Sequence, residues 1–359
     1  MSKFVETVIA RHLPEEQGGY RHERLPGGIS SETYKVEPND PNSSQGVLAF
    51  TVIRDPSLWW KVEQEYVLRD LIAGDKEVPL PQLYDAGFDD IDGERTAYIF
   101  REFVEGTDLD TVLASRLEPR TREQDITTLA HDLGHRLGVM HRHNGAVFGQ
   151  LGRPETSHTD WASFVLSELE NETRLTCQLQ EDTQLGGVRV GAVQALLPDL
   201  QELVGSLQSS LSTTTSPNLG HGDAHFKNII ADRGQDQTWK VKSFIDTDGA
   251  LGGDPEIDIA FIENWLHFFP YKQDFFGKRH EFRSSYVGER QVGEHYDDRR
   301  LVYHTFRSLS FLRTVFGFDA NSFLSANPRN AEYVSGHFGI LQSLAGGNAL
   351  EDVGIPSLI

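Results

Sequence analysis

Between His221 and Asp248 the chain sets out a loop, a strand, a turn and a second strand, studded with acids and amides. The loop reads His221-Gly222-Asp223-Ala224-His225-Phe226-Lys227-Asn228. Ile229 to Ala231 follows as a strand, Asp232 to Gln237 as a polar turn, and Val241 to Ile245 as the second strand. Asp246-Thr247-Asp248 stands where that hairpin ends. Asp223 and Asn228 are five positions apart (228 − 223). A carboxylate beside a hydroxyl can orient it and take up its proton, while an amide oxygen and a second carboxylate suit a hard divalent cation. Taken singly, an Asp or Asn in a turn is commonly a cap or an Asx-turn. The constellation argues otherwise, because a structural turn gives no reason for a second loop bearing two more acids.

Phosphoryl transfer needs these groups, and kinase catalytic loops carry the same Asp-to-Asn spacing ahead of a metal-binding Asp. A glycine turn then leads into an amphipathic helix through Gly252-Gly253-Asp254-Pro255-Glu256-Ile257-Asp258-Ile259-Ala260. The runs HGDAHFKN, FIDTD and GDPEIDIA, in this order and spacing, resemble the aminoglycoside phosphotransferase family, which includes choline-kinase-like and other small-molecule kinases. The resemblance covers about Leu25 to Trp265. It implies an α+β, two-lobed protein-kinase-like fold: a small β-rich nucleotide-binding N-lobe over 1–104 and a large, mainly α-helical C-lobe over 105–359. It also implies ATP, Mg2+, and transfer of the γ-phosphate to a hydroxyl of a small molecule.

Composition agrees where it speaks. A chain of 359 residues, 38% hydrophobic, can build two lobes with a sizeable core. The single Cys177 excludes a disulfide framework and Cys-based zinc sites. A net charge of −21 argues against nucleic acid as partner, since phosphate backbones demand clustered Lys and Arg. Met1 to Ala10 lacks the apolar core of a signal peptide, and no apolar run approaches the roughly 18 residues of a membrane span. The expectation is a cytoplasmic protein without a membrane partner.

In chain order, a Gly-Gly turn with small hydroxyl residues precedes a strand at Thr33 to Val36. Gly27, Gly28, Ser30 and Ser31 there fit a phosphate-cradling loop, because glycine lets backbone N–H groups approach closely. Val47 to Arg54 alternates as a strand, and the resemblance gives Arg54 the phosphate-binding cation's place, paired with Glu65 of the helix Lys61 to Ala73; Lys61 is the fallback. Prolines 79 and 81 force an extended path. Thr96 to Phe103 is a strand running into Val104-Glu105-Gly106, and the resemblance assigns the backbone of Glu102 and Val104 to the adenine edge. Ile126, Leu129, Ala130, Leu133, Leu137 and Met140 form one helical stripe over 123–143. His131, His135, His141 and His143 lack ligand-spaced companions and read as surface or capping residues. Asp160 reads as an N-cap, another helix covers 188–208, and 272–359 is mainly helical, with Val302, Phe306, Leu309 and Leu312 as a stripe and Arg307 and Arg313 elsewhere on that helix.

From Ser243 to Tyr271 there is no Lys or Arg, yet Asp246, Asp248, Asp254, Glu256, Asp258 and Glu263 all fall within it. Crowded carboxylates raise one another's pKa or require cations. Asp246 and Asn228 are the metal candidates, with Asp248 beside them in the second shell or at a second ion. Asp223 is the catalytic carboxylate and His221 a brace for its loop. The resemblance gives Asp258 a supporting role beneath that loop. Glu256 and Glu263 are candidates either for binding ammonium groups of a cationic acceptor or for solvated surface. An aminoglycoside or amino sugar is the first acceptor considered, with choline-like alcohols, macrolides and sugars open, and GTP an alternative donor. Two rivals are a silent nucleotide-binding scaffold, opposed by the presence of Asp223, Asn228 and Asp246, and a protein kinase. Against the latter, the loop reads His-Gly-Asp, without the Arg of the kinase His-Arg-Asp.

Overall fold

A computed structural model describes residues 2–14, 18–25, 31–73, 75–91, 93–317, 323–324, 327 and 329–359. Gly27, Gly28 and Ser30 of the glycine turn lie outside the described residues. The architecture is α+β and kinase-like, with a β-rich N-terminal part and a helical C-terminal one.

Five antiparallel strands open the fold: β1 (Tyr20–Arg24), β2 (Glu32–Pro38), β3 (Leu48–Ile53), β4 (Leu83–Ile91) and β5 (Glu94–Glu102), in the order β1-β2-β3-β5-β4. Alternation along β3 and β5 decides both faces of this sheet. Leu48, Phe50, Val52, Tyr98 and Phe100 pack against Phe4, Val5 and Val8 of helix α1 (Ser2–His12), with the Phe50 and Phe100 rings stacked 4.4 Å apart. Ile53, Ala97 and Ile99 take the opposite face, against Val62 of helix α2 (Trp60–Leu71). The 9-residue β4 was not foreseen. It carries Asp85, Asp89 and Asp90, a residue type depleted in strands, and it is held by Asp89 bonding His12 of α1 at 3.3 Å.

In the helical part, α3 (Arg122–His141) carries the expected stripe, buried throughout, and lies along α6 (Arg279–Glu289). A Cβ on Gly134 would come within 2.2 Å of the Phe282 carbonyl, so this crossing needs glycine. Helix α4 (Trp161–Cys177) starts at Asp160, whose carboxylate accepts from the Ser163 N–H at 2.8 Å. Helices α5 (Ile257–His267), α7 (Tyr296–Gly317) and α8 (Asn330–Ala345) complete the core. The helix expected over 188–208 is broken into Val190–Gln194, Leu197–Ser206 and Gln208–Leu211, with Pro198 in the first turn of the second piece, where its missing N–H costs nothing. His141 also departs from expectation. It is fully buried at the end of α3, bonded to Asp258 and Tyr286, both at 3.1 Å. No helix among the described residues is long and apolar enough to cross a membrane.

Candidate active site

Strand β6 (Asn218–Gly220) delivers the chain to the loop His221–Asn228, and β7 (Ile229–Arg233) and β8 (Trp239–Phe244) form the hairpin behind it. Strand β9 (Leu251–Gly253) pairs back onto β6, so both acidic loops emerge side by side. Gly222 has φ +74°, and a Cβ there would sit 1.8 Å from the Gly249 carbonyl oxygen. Only glycine permits that contact between the two loops.

The loop is held from below. Asp258 of α5, fully buried, accepts from the N–H groups of His221 (2.6 Å) and Gly222 (2.8 Å), and His141 meets the same Oδ2 that accepts from His221. Burial keeps the His141 ring below its ordinary pKa and so largely neutral near pH 7. The His221 Nε2 lies 2.9 Å from the Ile245 carbonyl and ties the loop to the hairpin end. The Asn228 amide donates to the Asp223 carbonyl at 3.1 Å and its carboxylate at 3.3 Å. That aims the amide nitrogen at Asp223 and leaves the opposite oxygen for another partner.

Asp246 follows the hairpin in a left-handed conformation, φ 62° and ψ 62°, a strained choice for an L-residue other than glycine. Burial, then the Asp248 and Asp223 carboxylates, push its carboxyl above the usual range. A cation beside these acids would relieve the repulsion. No group of three or more His, Cys, Asp and Glu side chains among the described residues is arranged to hold a metal alone. This donor set suits Mg2+, which is commonly held by one or two carboxylates together with substrate phosphates.

A cleft of about 1240 Å³ lies between the sheet and these loops. Ser31, Thr33, Ala49, Thr51, Glu102, Phe103 and Val104 line one side, and Asp246 and Asp248 the other. The amides of Glu102 and Phe103 are already bonded to the Gln82 and Val47 carbonyls.

Arg54 requires correction. It lies past the end of β3, with its Nη1 3.6 Å from Glu94 and its guanidinium 5.2 Å from the Phe4 ring. The side chains of β3 that line the cleft are Ala49, Thr51 and Ile53. Arg54 has the parity of Leu48, Phe50 and Val52 and faces α1; a one-residue shift in strand register changes the face. Glu65 is paired instead with Arg101 of β5, which donates to both carboxylate oxygens, Nε–Oε2 at 2.8 Å. Arg101 shares its face with Ala97 and Ile99, so a charged residue on an otherwise apolar inward face was the available signal. Burial opposes its charge, but Glu65, with Asp248 and Asp246, keeps it raised above an ordinary arginine. Lys61 of α2 is buried and pairs with Asp248.

The remaining acids are not the cation receptor considered above. Asp254 pairs with Arg299 at 2.6 Å. Glu256 accepts from Arg290 at 3.0 Å and the Gly293 N–H at 2.6 Å, and also meets Arg299. Glu263, wholly buried, meets Arg300 (3.1 Å), His304 (3.3 Å) and the Leu358 N–H (2.7 Å). The counter-charges come from α7 and the turn before it, far along the chain.

Two neighbours of Asp223 were missed. His225 stacks on Trp265, ring centres 4.4 Å apart, and burial pushes its pKa down to about 4. Arg307 of α7 brings Nη1 to 2.8 Å from Asp223 Oδ1, an ion pair without hydrogen-bond alignment, and its guanidinium rides 5.0 Å from the Phe261 ring. Burial pushes the Asp223 carboxyl up, yet Arg307 and the neighbouring histidines outweigh it and hold it below the usual carboxylate range. Beside Gly222 and Gly249 a second cavity of about 170 Å³ opens, walled by Phe164, Val165, Leu251, Ile257, Phe261 and Phe306.

Comparison with known proteins agrees with the fold. Solved structures with the same fold include a thermostable mutant of aminoglycoside phosphotransferase APH(4)-Ia in a ternary complex with ADP and hygromycin B. It is 15% identical, with TM-score 0.62, over 98% of this chain and 99% of that one. Another is the GDP and kanamycin complex of APH(2")-IIia, 17% identical, TM-score 0.55, over 96% and 99%. A third is the spectinomycin phosphotransferase APH(9)-Ia with ADP and spectinomycin, 12% identical, TM-score 0.53, over 95% and 98%. No curated protein matches the chain. The profile described as the phosphotransferase enzyme family matches residues 21–281. The chain belongs to the phosphotransferase enzyme family.

Proposed function

We propose that this protein moves the γ-phosphoryl group of ATP or GTP to a hydroxyl of a small molecule. The observation that carries the reading is the meeting of Asp223, Asn228 and Asp246 beside a nucleotide-sized cleft, whose lining brings Asp246 and Asp248 together with Glu65 and Arg101. Asp223 orients the acceptor hydroxyl. As the oxygen–phosphorus bond forms and the bond to the departing nucleoside diphosphate breaks, the hydroxyl proton passes to its carboxylate. The transition state is loose, so positioning and electrostatics do most of the work. Asn228 and Asp246 would hold Mg2+, which neutralises phosphate charge when bound; Asp248 is the adjacent candidate.

Arg101 and Lys61 take over the phosphate-facing charge assigned from sequence to Arg54. The Val104 amide and the Glu102 carbonyl are the groups offered to the base, with the lobe boundary at 104/105. Ser31 lines the cleft and, with Gly27, Gly28 and Ser30, belongs to the candidate phosphate loop. His221 and Asp258 position the loop and do not touch substrate. Glu263 is structural.

Calorimetry with ATP and GTP, in Mg2+ and then in EDTA, tests the reading. Metal-dependent binding of either nucleotide is expected, with slow release of the diphosphate that requires Asp223. Failure of both to bind would overturn it.

A further inference from the structure

We infer that the acceptor is a compact hydroxy acid: an apolar body seated in the 170 Å³ cavity, a hydroxyl at Asp223, and a carboxylate on Arg307. The inference rests on the phosphotransferase reading and narrows its substrate class. Size argues first. The cavity beside the loop is close to the roughly 150 Å³ that accommodates benzene, and well under the roughly 300 Å³ at which drug-sized ligand pockets begin. An aromatic ring fills it; an aminoglycoside does not.

Lining argues second. The polar groups of that wall are engaged: the Tyr303 hydroxyl by Asp254, the Thr156 hydroxyl by the Arg153 carbonyl, and the Gln150 amide by the Asp248 carbonyl. Glu168 is the one carboxylate among the lining residues, and burial, then Glu172, push it towards its neutral form. Charge argues third. A polycation needs free carboxylates, and Asp254, Glu256, Asp258 and Glu263 are all consumed inside the fold. The charged side chain that does face Asp223 from α7 is a guanidinium, held over Phe261 at the cavity wall. An ammonium group approaching Asp223 is repelled there, whereas a carboxylate can take the guanidinium and leave Asp223 to the hydroxyl. Arginine's planar fork suits that partner.

The test is calorimetric titration of the full chain, saturated with Mg2+ and ADP or GDP, whichever it binds, with four probes. Phenyllactate, phenylpropanediol and phenylalaninol share one ring and differ as acid, neutral alcohol and cation; kanamycin is the polycation. Phenyllactate is expected to bind tightest, roughly 10- to 100-fold better than the diol, the range for a hydrogen bond to a charged group. Phenylalaninol binds more weakly still, and kanamycin does not bind. In Arg307→Ala the acid and the diol become equal, while Arg307→Lys keeps part of the preference. Tighter binding of kanamycin or phenylalaninol than of phenyllactate overturns the inference and leaves the kinase reading standing. So does binding of ADP or GDP with none of the aryl alcohols bound at millimolar concentration. Failure of both ADP and GDP to bind overturns both.

Discussion

Removing the Arg101 guanidinium separates the two accounts of the nucleotide site most sharply. Arg101 and Glu65 are both largely buried, side chains 16% and 6% exposed, and share a two-point ion pair. Arg101→Met keeps the stem and deletes the charge, leaving Glu65 buried with the Thr247 hydroxyl at 3.4 Å as its remaining hydrogen-bond donor among the described residues. Breaking one side of a buried pair costs about 3–5 kcal/mol. At roughly 2 °C per kcal/mol for a chain of this size, that is a melting-point drop of about 6–10 °C. Arg54→Met should behave quite differently. Its partner Glu94 is 66% exposed and 3.6 Å away, and pairs of that kind are worth about 0–1 kcal/mol. The assay is thermal unfolding of both variants and of Arg101→Met combined with Glu65→Met, alongside nucleotide affinity. The combined variant should recover most of the lost stability without recovering affinity, because the buried carboxylate is gone while the phosphate-facing charge is still missing. Nucleotide affinity lost in Arg54→Met and kept in Arg101→Met would refute the assignment. So would a single-variant cost under about 1 kcal/mol, the range of an exposed pair.

Three further outcomes follow from the loop chemistry. Asp223→Ala should lower transfer by about 10²- to 10⁴-fold, the span of general-base contributions, with nucleotide affinity nearly unchanged; equal loss of affinity in calorimetry would show that its role is different. Because the folded pKa of Asp246 is raised, the metal-free native state keeps a proton that the unfolded chain has released, so stability declines as pH rises through that window. Asp246→Asn removes the decline. In EDTA it should melt higher than the parent near pH 7, with the gap closing towards about pH 4, where an ordinary Asp protonates, while Mg-nucleotide binding is lost. A lower melting point at neutral pH would contradict this. Asp258→Ala strands two loop amides and His141. Denaturant titration should show a loss of about 3–5 kcal/mol, and a loss under about 1 kcal/mol would mean the clamp is replaceable.

What could be read from the sequence was contiguous. The loop and hairpin declare themselves because Asp223, Asn228 and Asp246 are fixed by local spacing, and the helical stripe of α3 because its period is local too; Gly252 and Gly253, read from sequence as a turn, instead belong to strand β9. Arg101 was missed through the parity of a strand: Arg54 looked correct by position and was wrong by face. Arg307 stands 84 positions after Asp223 (307 − 223), and no local rule connects them. The acid-rich run from 246 to 263 misled for the same reason. Its counter-ions Arg290, Arg299 and Arg300 come from beyond the stretch in which no Lys or Arg was found, so an interior network looked like an open cation receptor.

The support beneath the loop carries a further consequence. Two successive amides of His221–Gly222 end on a carboxylate borrowed from α5, and that carboxylate leans on a histidine at the end of α3. Beyond its internal Asn228–Asp223 bonds, the reactive segment therefore depends on supports outside it. Its conformation is on loan from two helices whose sequences lie on either side of it. Activity should then disappear in step with the cooperative melting of the helical part, and a peptide spanning the loop alone would inherit the motif without the geometry.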